Sequence, residues 1–147
     1  HVDANGFFQA PNVNYGFTGQ TIRNQPVDPN LMRDVSTMAA SLGPDVGVLV
    51  TSGGQSDFGP GRTGSTRHDH GNAVDFAMTR NGSVVTPEQD PVLYSQMIEG
   101  LAANHQGIGH YEWGLHVGGG SEAFWGPDKT AASADTYFRN AYNRGRN

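Results

Sequence analysis

The chain has 147 residues, the size of one ordinary globular domain and long enough to close a single core without staples. Nine Lys+Arg against fourteen Asp+Glu leave a net charge of −5, spread along the chain, which argues against a nucleic-acid partner and against a polybasic membrane anchor. No run approaches the ~18 apolar residues of a membrane span, and the lack of cysteine excludes disulfides, thiol catalysis and thiolate zinc sites.

Residues 1–27 are polar with a few aromatics and no clean period, which predicts an irregular arm over the surface of a single domain spanning 28–147. Asp28-Pro29 is helix-start chemistry, with Asp as N-cap and Pro at the first helical position. Leu31, Val35, Met38, Ala39 and Leu42 then recur at helical spacing until Gly43-Pro44 stops the helix. The β-branched run Val46–Thr51 predicts a buried strand, followed by a Gly-, Ser- and Arg-rich loop over 52–67. A second strand is expected over Ala73–Met78, with a hairpin turn at Asn81-Gly82 leading to Val84-Val85. A helix is expected over Pro87–Asn104, paired strands over Ile108–Trp113 and Leu115–Val117 around a break at Gly114, and a last helix over Ser133–Tyr142. The sum is α+β, with helices on one side of a small antiparallel sheet. Twenty-one glycines, about double the usual share, sit mainly around particular polar residues and point to long shaped loops on a modest core. With no initiator Met and no signal-peptide pattern, the chain reads as a processed product or a piece of a longer polypeptide.

Four of the six histidines fall in two short windows, His68-Asp69-His70 with Asp75 and His110-Tyr111-Glu112 with His116. Histidine and aspartate together suit a divalent ion, zinc being the commonest occupant. Polar loop surface is the competing reading of the same residues. Trp113, Phe124, Trp125 and Tyr111 are placed either to line a substrate groove or simply to supply core.

Thr66-x-His68-x-x-Gly71-x-Ala73-x-Asp75 resembles the Ser-x-His-x-x-Gly-x-Ala-x-Asp signature of zinc D-alanyl-D-alanine peptidases, with Thr in place of Ser. That family includes cell-wall carboxypeptidases, vancomycin-resistance dipeptidases and phage endolysins, and shares the hedgehog fold. Val48–Gly53 resembles the strand and Ser-Gly turn before the signature, and Glu112–His116 the acid-then-His segment that closes the family's site, so the resemblance covers about residues 28 to 126. It implies a hedgehog-like fold, a zinc ion on His68, Asp75 and His116, and Glu112 as general base, with His110 as the runner-up catalytic residue.

Two departures bear on substrate and base. The family's substrate arginine has no counterpart at Gly54-Gln55, which leaves Gln55, Arg62, Arg67 and Trp113 as candidate substrate contacts and tilts the expectation toward an endopeptidase. The acid-to-His spacing is four rather than three, which a bulge at Gly114 would accommodate. The expected activity is hydrolysis of peptidoglycan stem peptides or cross-links outside the cytoplasm or on a virion, with no nucleic-acid partner and no membrane insertion. The alternative is an inactive zinc-containing binding or structural module of a phage tail or secreted assembly.

Overall fold

The computed structural model describes residues 1–17, 22–55 and 67–147; Arg62 and Thr66 lie outside the described residues. Among these residues seven strands form one sheet: β1 (Val13–Tyr15), β2 (Val46–Ser52), β3 (Ala73–Arg80), β4 (Ser83–Val85), β5 (Gly107–His110), β6 (Leu115–Gly118) and β7 (Ala123–Trp125). Three helices accompany it, α1 (Pro29–Ser41), α2 (Pro91–Ala102) and α3 (Thr136–Arg146), with a 3-10 turn at Ala131–Ser133. The strand order is β1-β2-β3-β6-β5-β7, and β4 pairs with the far end of β3. No helix of the described residues is long and apolar enough to cross a membrane.

The α+β composition stands, but the sheet is mixed rather than antiparallel, because β1 runs parallel to β2 and β7 parallel to β5. Each of these outer strands has three residues. That is too short to show an alternating pattern in the sequence. A parallel pair also needs a long crossover, which α1 supplies between β1 and β2. The segment expected as an irregular arm therefore contributes a strand, and its Phe8, Val13 and Val27 are buried in the core.

Two helices begin with the same chemistry. Asp28 accepts from the Asn30 amide ahead of Pro29, and Asp90 accepts from the Leu93 amide ahead of Pro91. The second helix thus starts four residues later than expected, because Pro87 belongs to a turn closed by reciprocal Thr86–Gln89 hydrogen bonds. The last helix is capped by Asp135 and runs on to Arg146.

The register separates the two faces of the sheet. Val50 lies opposite Phe76, Phe76 opposite Leu115, and Ile108 opposite Val117. Facing residues in a ladder point the same way, so these side chains make one apolar face. They join Met32 and Val35 of α1 and Tyr94 and Met97 of α2 in a single core cluster. Tyr94 ties α2 to the sheet, its hydroxyl donating to the Val85 carbonyl at 2.7 Å and accepting from the Met78 amide at 2.8 Å.

Candidate metal centre

The opposite face carries a polar row. Asp75 on β3 is paired with His116 on β6, His116 with Gly109 on β5, and Gly109 with Trp125 on β7. Gly109 has no side chain because Trp125 lies over it; a Cβ there would meet the indole Nε1 at 2.2 Å. The indole thereby reaches His116, ring centroids 5.1 Å apart, and donates to the Tyr111 hydroxyl at 2.6 Å.

His68 enters from the loop before β3. Its carbonyl accepts from the Gln55 and Gly71 amides, and the Gln55 side chain donates to Asp69 Oδ1 at 3.0 Å. Gln55 is 3% exposed and does not line the cleft. It pins the turn that carries His68, which corrects its expected place among the substrate contacts.

His68 Nε2 and His116 Nδ1 lie 3.4 and 2.9 Å from Asp75 Oδ1, and the three potential ligand atoms fall within 4.8 Å of one another. Zinc bonds of 2.0–2.2 Å in a tetrahedron place ligand atoms about 3.3 Å apart, so this spacing fits one ion. The rear ring nitrogens face carbonyls, His68 Nδ1 at 2.9 Å from Gly53 O and His116 Nε2 at 3.0 Å from Gly118 O. Rear carbonyls of this kind fix the tautomer of a metal-bound imidazole and leave its other nitrogen as the ligand. All three residues are buried. Burial opposes ionisation of Asp75, but hydrogen bonds and charge from the two imidazoles outweigh it and hold the carboxyl well below the usual carboxylate range. A buried carboxylate and two converging imidazole nitrogens form a donor set that can hold a metal ion.

The triad forms part of the wall of a cleft of about 580 Å³ whose described lining includes Tyr111, Trp113 and Trp125 and the cations Arg23, Arg67 and Lys129. Trp113 stacks on Tyr111 with centroids 4.9 Å apart and planes at 4°. Arg67 lies over the Trp125 ring at 4.5 Å and donates to the Gly119 carbonyl. Burial lowers its pKa from the ordinary guanidinium value, and the nearby Tyr111 and Tyr142 oppose that shift. Arg67 and Trp113 are thus brought to the triad.

Glu112 and His110 are not. The strands stop at His110 and resume at Leu115, and the Tyr111 amide donates to the Gly114 carbonyl at 2.8 Å, closing a tight turn over 111–114. Along this turn Tyr111 and Trp113 line the triad cleft, while exposed Glu112 lines a different one. Gly114 therefore makes no strand bulge. His110 is opposite Leu115 on the core face, where its Nε2 accepts from the Asp135 amide at 2.9 Å and its ring meets Phe138 at 5.0 Å. As runner-up catalytic residue it is corrected: strand alternation puts it on the other side of the sheet from Asp75 and His116.

Arg23 and Lys129 had no sequence signal, since both lie far from the histidine windows. No family model matches the chain, and no curated protein matches it in sequence.

Proposed function

We propose that the chain is a zinc-dependent peptidase acting on peptidoglycan stem peptides or their cross-links, outside the cytoplasm or on a virion. The observation that carries the reading is the buried His68–Asp75–His116 set open to a cleft, three protein ligands that leave a position for water or substrate. Zinc held there would supply Lewis-acid chemistry, polarising a scissile carbonyl and bringing the pKa of water toward 7. His68 and His116 are oriented for this by the Gly53 and Gly118 carbonyls, and Asp75 supplies the anionic ligand. Arg23, Arg67 and Lys129 supply positive charge around the substrate. Since a free carboxylate seeks such cations, carboxyl-terminal substrates belong in the test beside internal bonds, despite the missing arginine at Gly54-Gln55.

A zinc-containing binding module is the second reading, favoured by one observation. Asp75 is the only carboxylate among the described residues lining the triad cleft. Glu112 could serve as base only if the 111–114 turn re-formed around it.

The test is elemental analysis followed by digestion of purified peptidoglycan, with mass spectrometry of the fragments. The expectation is close to one zinc per chain and new amine ends, both lost in His116→Ala. Zinc without cleavage identifies the binding module. Glu112→Gln decides the base: a hundred- to ten-thousand-fold loss with zinc retained would assign that role to Glu112.

A further inference from the structure

Across the Tyr111–Gly114 turn from the triad lies a second cleft, of about 520 Å³. The two clefts share Tyr111 and Pro127 as a wall, and polarity reverses across it. Arg23, Arg67 and Lys129 line the first, whereas the charged residues described in the second are Glu88, Glu112 and Asp135. Its apolar surface includes Phe138 and the 46%-exposed Tyr137.

His110 lines this cleft and is 5% exposed. Its Nε2 accepts from the Asp135 amide, so the neutral ring carries its proton on Nδ1. No described residue accepts that N–H. Arg146 Nε is the one buried side-chain nitrogen without a partner among the described residues, so His110 Nδ1 is open to the cleft, where a ligand carbonyl would replace water as its acceptor.

We infer that the second cleft is a binding subsite for a peptide segment bearing a primary-amine side chain. The peptide carbonyl accepts from His110 Nδ1, the aliphatic stem lies on Tyr137 and Phe138, and the ammonium faces Glu88 and Glu112. An aliphatic stem with a charged tip matches an apolar floor with an acidic rim. Asp135 adds negative charge, although its Oδ1 also caps α3 by accepting from the Tyr137 amide at 2.8 Å. A chain crossing the shared wall would place an anionic end among the cations of the first cleft and its amine-bearing residue in the second. That last step rests on the peptidase reading; binding itself does not.

The probe is Nα-acetyl-lysine N-methylamide, titrated into the full chain and followed by NMR at the His110 ring and at Tyr137. The norleucine and Nε-acetyl-lysine analogues serve as neutral controls. The expected result is saturable shifts at His110 and Tyr137, with at least ten-fold weaker binding of both analogues. The lysine probe should weaken at least ten-fold on the Glu88→Gln/Glu112→Gln double variant, with zinc content unchanged. Equal binding of the analogues, shifts confined to His116 and Trp125, or no saturation at the solubility limit would overturn the inference. The readout is binding without hydrolysis, so its failure is distinct from a failure to cleave peptidoglycan.

Discussion

The Asp135 amide donates to His110 Nε2, and the Phe124 and Phe138 rings pack near the same imidazole. Burial is the largest influence on His110 and lowers its pKa; the Asp135 charge opposes this and Arg139 reinforces it. In the unfolded chain the ring takes a proton near the ordinary value of about 6.5, so below that pH the unfolded state binds more protons than the folded one. The contribution of His110 to stability is therefore complete above about 6.5 and is lost as pH falls toward the lower folded value. Between pH 7.5 and 5.5 the wild-type Tm should fall more steeply than that of His110→Gln, which keeps an acceptor for the Asp135 amide but does not titrate. Parallel curves for equally metal-loaded proteins would show that His110 is not held neutral. At this scale the grouping of His68, Asp75 and His116 was legible, and the cleft onto which Glu112 opens was not. His68 and Asp75 sit in one short motif, and His116 is held by the alternation of β6. The side of the wall on which Glu112 falls depends on a four-residue turn, whose side-chain directions spacing alone does not determine.

Among the elements, α1 could be read nearly to its ends because Asp28, Pro29 and Gly43 mark them, whereas Pro87 drew the expected start of α2 away from the Asp90-Pro91 pair that sets it. The outer strands escaped notice because three residues carry no period, and with them went the parallel pairings. Their loss mattered for the site, since β7 brings Trp125 over Gly109 and against His116. Gly109→Ala tests that packing. The new methyl would need space held by the indole Nε1, so Trp125 must shift and its 2.6 Å bond to Tyr111 must break. Overpacking of this kind typically costs ~1–3 kcal/mol. The expected outcome is a lower urea midpoint together with altered Trp emission. Unchanged midpoint and emission would mean that the indole is not seated on Gly109.

In the molecule as a whole, the sheet keeps its two tasks on opposite faces. Phe76, Met78, Leu115 and Val117 bury the apolar face with α1 and α2 in one core, while Asp75 and His116 hold the polar face. Small zinc domains without a sufficient core unfold when the metal is removed; in this chain the core cluster does not include His68, Asp75 or His116. Chelation should therefore lower the melting temperature and leave the fold intact at 25 °C. An ion present at a hundred times its dissociation constant stabilises the folded state by about 2.7 kcal/mol. At roughly 2–4 °C per kcal/mol for a domain of this size, Tm should drop by roughly 5–11 °C with EDTA and recover on adding zinc. The far-UV circular dichroism of the chelated protein at 25 °C should match that of the metal-bound form. Cooperative loss of that signal on chelation would show that the polar face carries the fold, and an unmoved Tm would show that no ion is held there.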